Sequence, residues 1–525
     1  MKCIVILSFF LSGCMTMLRD TTPQVSFDSA PSGVQVGLLR VHPTNPIYFT
    51  DDSGKAIYLG GHQIFVDLQD NTFGKTVIYN HQVTLDWNWY LGFARDRGIN
   101  YIRNWSEFST GCLSCPCIAA NPMPYKRVRD SGHANDGGLK FDLNQFDETY
   151  FDRMRQRIID AGQNHITVSV MLLEVYGFQA GSLWETNVFN IKNNINGVNA
   201  DQNGDGWGVE FWTAPSSELR SLHRKYVTKV IDTINDLDNV IFELGNEVGE
   251  VGGTANWLND LANFVKSYES DKPKQHLIYM SPGGLGGPQV RRAESFDRDS
   301  CIQDAYEYDY SNSWVSKSLL DSSSADIIAV SDHWGQNYNV DPPVNDTGKP
   351  TFMDEDHLGA FAPGAFEHKV PWKAFTRGYH FSLYDHPFEV PSFESPQWEL
   401  TRRNIGATVN YANTKILSLA AMSPSTSISS TKYALANPGA EYLIYQPNSG
   451  SFTVDMQSGS YWYEWFEPQT ALVAITGSYK ASSGNNWFTP PFSGDAVLYL
   501  RRSSLPAASP SPGSETTFGI SPVLP

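Results

Sequence analysis

The 525-residue chain predicts an α/β fold, a (β/α)8 TIM barrel followed by a small all-β sandwich domain. Two rhythms and one length carry that expectation. Up to about Ser423, short apolar runs alternate with helical stretches, which implies a parallel sheet. Beyond Lys432 the runs are short and separated by Asn, Pro, Gly and Ser, the pattern of antiparallel strands. The length exceeds one ordinary core, so two domains are expected, one of them large.

Taken in order, Ile47-Tyr48-Phe49-Thr50 and Ala56-Ile57-Tyr58-Leu59 flank the turn sequence Asp51-Asp52-Ser53-Gly54 and read as two short strands. A helical stretch around Trp89 to Arg97 leads into the strand Gly98 to Arg103. Phe151 to Ala161 has helical spacing and runs into Ile166 to Leu173. Ser217 to Leu237 ends in the strand Val240 to Gly245, and Asn256 to Tyr268 precedes Leu277 to Met280. Ile327 to Val330 and Lys349 to Glu355 complete a count that approaches eight, so the sheet closes into a barrel. The expected division is residues 1–14 as a lipoprotein signal peptide, 15–37 as a flexible tether, 38–422 as the barrel, 423–502 as the sandwich and 503–525 as a Ser/Pro-rich disordered tail.

The net charge of −18 argues against nucleic acid or an anionic membrane surface as partner. Aromatic residues reach 13%, with 14 Trp and 25 Tyr, a content suited both to a large core and to surfaces that stack on sugar rings. Lys2 followed by an apolar run too short to span a bilayer reads as an export signal. Leu11-Ser12-Gly13-Cys14 matches a lipobox, making Cys14 the expected site of lipidation. The chain is thus expected outside the cytoplasm, as a bacterial membrane-anchored lipoprotein at the outer membrane or cell surface, or secreted, and monomeric. In that compartment Cys112, Cys115, Cys117 and Cys301 are expected in disulfides, not on zinc, since only one Cys-x-x-Cys pair is present.

Two strand-like runs close on carboxylates: Val240 to Gly245 leads to Asn246-Glu247, and Lys349 to Asp354 leads to Glu355. In a parallel barrel, catalytic groups stand at the C-terminal strand ends. Two carboxyls there meet the needs of glycoside hydrolysis, one protonating the leaving oxygen and the other attacking the anomeric carbon. Strand alternation puts Glu243, Gly245 and Glu247 on one face. It groups Thr351, Met353 and Glu355 on one face of the other strand, with Asp354 and Asp356 opposite, and so selects Glu355 among its acidic neighbours.

With these residues in place, the chain resembles the clan A glycoside hydrolases. The resemblance rests on Gly98-Ile99-Asn100-Tyr101-Ile102-Arg103, Gly245-Asn246-Glu247, Asp332-His333-Trp334 and Lys349-Pro350 to Glu355. Within that clan it is similar to apiosidase-like and cellulase-like lipoproteins with a C-terminal β domain of the type named for collagen binding. Pro46 to Asp51, Tyr58 to His62, Asn193 to Gly197, Trp372 to Gly378 and Pro491 to Leu500 carry that likeness, from about Leu38 to Arg501.

The resemblance implies Glu247 as general acid/base and Glu355 as nucleophile. It implies Asn246 as the donor to the sugar 2-hydroxyl, Arg103 against Glu355, and His62, His333 and Trp334 as substrate contacts. Arg103 is also compatible with a barrel salt bridge to Glu243, and His62 and His333 with satisfied core histidines. Gly60-Gly61 before His62 and Gln63 after it depart from the relatives. No cofactor is implied. Asp201, Asn203 and Asp205 match the start of a calcium loop, but Trp212 stands where a bidentate Glu belongs, which favours an Asn/Asp turn; calcium stays the alternative there if another segment supplies a carboxylate.

The expected activity is that of an exported retaining glycoside hydrolase acting on an oligo- or polysaccharide of plant or microbial origin by double displacement. A carbohydrate-binding surface lipoprotein without catalysis, or a matrix adhesin, are the competing readings.

Overall fold

The computed structural model describes residues 35–64, 67–70, 85–111, 120–129, 132–179, 181–246, 248, 254–281, 317–330, 338, 340–354, 367–385 and 395–503. A short antiparallel pair, β1 (Arg40–Val41) and β2 (Phe49–Thr50), precedes the barrel. Eight parallel strands then close on themselves. They are β3 (Gly60–Ile64), β4 (Tyr101–Asn104), β7 (Thr167–Met171), β8 (Val240–Glu243), β9 (Leu277–Met280), β10 (Ile327–Ala329), β11 (Thr351–Asp354) and β12 (His380–Tyr384). The intervening hairpin β5 (Tyr125–Arg127) and β6 (Phe141–Phe146) lies in the connection between β4 and β7.

Helices α1 (Trp87–Asp96), α2 (Glu148–Gln163), α3 (Ser217–Ile234), α4 (Thr254–Glu269), α5 (Lys317–Ser322), α6 (Val370–Thr376) and α7 (Pro396–Asn410) belong to the barrel, alongside one-turn helices in the connections. Their starts follow local chemistry. Asp86, Asp147 and Ser216 each accept a hydrogen bond from a first-turn N–H, satisfying a donor that has no partner within the helix. Pro371 and Pro396 open α6 and α7, where a missing N–H costs nothing.

The barrel has two apolar regions. Between strands and helices lies a layer that includes Ile102, Val168, Phe242, Ile278, Met353 and Phe381. Inside the strands, Leu59, Tyr101, Ile241, Tyr279, Ile327 and Phe352 form a second cluster with Leu39 and Phe49, so the β1–β2 pair plugs the lower end. His380 is part of this plug. Its Nδ1 accepts from the Leu59 N–H at 3.0 Å and its Nε2 donates to the Ile47 carbonyl at 3.0 Å. Burial holds its pKa down at about 3, so the ring is neutral and acts as a spacer.

After α7 the chain makes a π turn over Tyr411–Lys415 and enters an antiparallel domain. A six-stranded sheet runs in the order β13 (Ser423–Ser425), β14 (Ala434–Asn437), β15 (Glu441–Gln446), β20 (Ala496–Arg502), β17 (Gly459–Glu467), β18 (Leu472–Ala481). A two-stranded ribbon, β16 (Phe452–Met456) with β19 (Gly484–Phe488), covers one face of it. The other face packs on the barrel: Trp372 and Phe375 of α6, Ala407 of α7 and Tyr411 share one buried cluster with Leu435, Leu443, Tyr445, Phe466 and Val497. Trp372 also donates to Asn404 at 2.7 Å, and Asn404 donates to the Pro468 carbonyl at 3.0 Å. The two domains therefore have a continuous core between them.

Helix α7 approaches the end of α1 closely enough to require glycine. A Cβ on Gly406 would stand 1.6 Å from the Arg97 carbonyl oxygen, and backbone cannot swing away as a side chain could. Gly92, inside α1, is the opposite case, with only the Arg95 guanidinium within reach, at 3.7 Å. Gly406→Ala is expected to destabilise the fold by about 3 kcal/mol or more. Gly92→Ala is expected to stabilise it by about 0.5–1 kcal/mol. Urea unfolding of the two variants checks both, and a mild effect at Gly406 would contradict the close approach.

Candidate active site

Inward positions near the C-terminal ends of the strands are polar, in contrast to the apolar layer beneath them. On β4, Tyr101 lies in the lower layer and Arg103 in the upper one. The same step separates Ile241 from Glu243 on β8, and Phe352 from Asp354 on β11. On β3, Gly61 and Gln63 follow this parity. A Cβ on Gly61 would come within 2.2 Å of the Tyr101 ring, so the absent side chain is what leaves the ring its space.

Arg103 is the hub of the upper layer and is fully buried. Its Nε donates to both carboxylate oxygens of Glu243 at 2.9 and 2.8 Å, and Nη2 also contacts Glu243. Its Nη1 meets Asp354 at 3.0 Å and Gln63 Oε1 at 2.8 Å. Gln63 completes the ring by donating from Nε2 to Asp354 Oδ1 at 2.9 Å. Ser169 donates to Glu243 at 3.1 Å and Tyr279 to Asp354 at 3.1 Å. One cation thus holds two fully buried carboxylates from strands on different sides of the barrel. Charges so buried persist only when paired and hydrogen bonded. Trp105 lies beside the guanidinium, with its ring centroid 5.2 Å from Arg103 Cζ.

Asn246 connects this network to the next residue along the chain. Its Oδ1 accepts from Arg103 Nη2 at 2.5 Å, which fixes the orientation of the amide. The Nδ2 donor is buried and has no acceptor among the described residues. An unpaired buried donor is uncommon and costs roughly 1–3 kcal/mol, so it marks a place adapted to something other than stability.

Several expectations change. Arg103 does form the barrel salt bridge with Glu243 and, among the described residues, also pairs with Asp354, while its expected contact with Glu355 lies outside them. The alternation that selected Glu355 runs the other way at the preceding residues. Met353 faces the helices and Asp354 faces the interior. Alternation also fails past β8, because Glu243 and Asn246, three residues apart, both reach Arg103. Side chains alternate only while the chain stays extended, and β8 ends at Glu243.

His62 faces outward and does not reach the mouth. Its Nδ1 pairs with the Tyr90 hydroxyl at 2.7 Å and its Nε2 with Asp385 at 2.7 Å, under α1. Arg402 donates to the same carboxylate at 2.6 and 2.7 Å. The satisfied core histidine is the reading the geometry supports. The inward neighbour Gln63, which the sequence marks only as a departure from the relatives, is the residue of that strand that joins the Arg103 network. Its phase with Gly61 was the available signal.

Glu247, Glu355, His333, Trp334, Cys14, Cys112, Cys115, Cys117 and Cys301 lie outside the described residues, as does the tail from residue 504. At Asp201, the carboxylate accepts from the N–H groups of Gly204, Asp205 and Gly206 at 2.7, 3.1 and 3.1 Å, an Asx turn. Asn203 donates to Asp205 at 2.9 Å. No group of three His, Cys, Asp or Glu able to hold a metal occurs among the described residues, and no helix there is long and apolar enough to cross a membrane.

One carboxyl at the rim has an unusual environment. Glu107, four residues past Arg103, is held by backbone contacts: its N–H donates to Gln69 Oε1 at 2.6 Å and its carbonyl accepts from Gln69 Nε2 at 3.3 Å. Burial pushes its carboxyl up to about 8 from 4.5. The folded state keeps this proton over a pH range in which the unfolded chain has shed it, so stability falls as pH rises across that range. Glu107→Gln cannot ionise and is expected to flatten the decline in Tm between about pH 5 and about pH 8. Parallel Tm profiles for the two proteins would contradict the assignment.

The model of a domain of unknown function, DUF6298, matches residues 121–283, from the connection after β4 to just past β9. No curated protein matches the sequence. Among solved structures, the chain is similar to a protein described as a glycoside hydrolase, at 12% identity over 90% of this chain and 98% of that one, with a TM-score of 0.51. It is also similar to a glycoside hydrolase family 5 protein from Bacteroides vulgatus, at 13% identity over 90% of this chain and 96% of that one, with a TM-score of 0.53. At such identity the likeness is one of fold, and it extends through the barrel and the β domain together.

Proposed function

We propose that the protein is an exported retaining glycoside hydrolase of clan A, within the apiosidase-like and cellulase-like group, acting on a plant or microbial polysaccharide. The observation that carries this is the Asn246 amide. Arg103 holds its oxygen, and its buried Nδ2 donor immediately precedes Glu247. A donor so fixed suits a sugar hydroxyl next to the reacting carbon, and a contact there gains strength as positive charge develops on the ring.

In this mechanism the Glu355 carboxylate attacks the anomeric carbon. Glu247 gives its proton to the departing glycosidic oxygen, leaving a glycosyl ester on Glu355. Glu247, now ionised, takes a proton from water, whose oxygen attacks the same carbon and frees Glu355. Two inversions retain the configuration, which requires carboxyl groups about 5 Å apart. Neither step requires a cofactor. The Arg103 network supports both strand ends from below by tying β8 to β11 through Glu243 and Asp354.

Glu247→Gln and Glu355→Gln are each expected to lower turnover on the polymer by orders of magnitude while the protein stays folded. The Glu247 variant should recover on an activated aryl glycoside, whose leaving group needs no proton. A mechanism-based glycosyl fluoride should add its sugar mass to Glu355, and the first product seen by NMR should have the starting anomeric configuration. Wild-type rates in both variants would remove the assignment, and an inverted first product would leave Glu355 as a general base.

The motif Leu11-Ser12-Gly13-Cys14 supports an exported, lipid-anchored form whose mature chain begins at Cys14. Cys14→Ser is expected to move the protein from the membrane fraction to the soluble one. Unchanged detergent partitioning would exclude the anchor.

A further inference from the structure

The ribbon of β16 and β19 has two unlike faces. The inner face is apolar: Phe452, Val454, Met456 and Phe488 join a cluster with Ile444, Trp465 and Leu498 of the six-stranded sheet. The outer face carries the cross-strand pairs Thr453 with Trp487 and Asp455 with Asn485. One step further out, Ser451 Oγ lies 2.8 Å from Thr489 Oγ1.

Trp487 is 71% exposed, more than any other exposed large hydrophobic residue described. Among the described residues it makes no ring contact or side-chain hydrogen bond, and Asp455 and Asn485 make no side-chain hydrogen bond. Indoles are rarely left so open, because burying one against almost any neighbour is favourable. Its position is nevertheless firm. The adjacent Asn486 turns inward, donates to the Ser482 and Gly484 carbonyls at 2.8 and 2.7 Å, and accepts from the Tyr479 hydroxyl at 3.1 Å.

The composition of this face distinguishes among ligands. A protein-docking patch places its aromatic anchor within an apolar surround that excludes water. Here the ring is the one large apolar group, and its neighbours along both strands are hydroxyls, an amide and a carboxylate. A pyranose matches this, with a C–H face for the indole and hydroxyls around its edge for Asp455, Asn485, Ser451 and Thr489. At about 3.3 Å per residue, the rows from Ser451 to Asp455 span roughly 13 Å, enough for more than one linked ring. The net charge of −18, with Asp455 on the face itself, disfavours an anionic glycan.

We propose that the outer face of the β16–β19 ribbon, centred on Trp487, is a binding site for a neutral polysaccharide chain, separate from the barrel mouth. It would act whether or not the barrel is catalytic, so binding and hydrolysis are assayed separately. The full-length protein is run in native gels containing galactomannan, xyloglucan or polygalacturonate, and its hydrolysis of an aryl glycoside is measured in parallel. At least one neutral polymer is expected to retard the wild type, while polygalacturonate does not. Trp487→Ala is expected to weaken that retardation roughly tenfold, and Asn485→Ala to weaken it less. Neither substitution should change aryl glycoside turnover. Equal retardation of wild type and Trp487→Ala, absence of retardation by both neutral polymers, or retardation by polygalacturonate alone would each overturn the site.

Discussion

The guanidinium of Arg103 is the constraint on which the upper barrel depends. It is fully buried and faces Glu243 and Asp354, two carboxylates equally removed from water. Removing one partner of such a set typically costs about 3–5 kcal/mol, because the remaining charge keeps its burial and loses its neutralisation. The arrangement therefore restricts everything near it. Gln63 has to present its oxygen to the arginine and its nitrogen to Asp354, Tyr279 and Ser169 have to point their hydroxyls inward, and Asn246 has one amide orientation available. Rigidity of this kind would suit the proposed catalytic carboxyls above it, since small displacements of reacting groups are costly.

The second domain is built on the barrel. Helices α6 and α7 present Trp372, Phe375 and Ala407 to the six-stranded sheet, and the same sheet carries the β16–β19 ribbon on its far side. The polar contacts across the junction are specific. Glu464 of β17 meets both the Tyr411 hydroxyl and the Lys415 ammonium at 2.5 Å, and Asp495 accepts from His368. An apolar junction of this extent fixes the relative position of the domains more firmly than the polar contacts of a hinged pair would.

The sequence by itself determined the architecture, because strand and helix order follow from hydrophobic periodicity and turn residues, which are local. Leu277 to Met280 and the body of α4 stand where that periodicity puts them. Strands β3 and β12 were not legible. The first opens on two glycines needed for packing against Tyr101 and α7, and the second holds a histidine that bonds to the β1–β2 plug. Their strand character comes from neighbours far away in the chain. The two strands that end in acids were legible because they are periodic runs that close on carboxylates, whereas Arg103 was singled out only through the family resemblance.

The tertiary structure alone decided which way each side chain faces. His62 and Gln63 are adjacent, and only closure of the barrel sends the histidine under α1 and the glutamine to Arg103. Asp354 pairs with a cation on β4, more than two hundred residues earlier in the chain, so no local pattern could report it. Alternation describes an extended strand, whereas the residues that matter lie where strands end and the backbone turns. There, orientation is set by burial and charge pairing across the barrel, which depend on the closed fold.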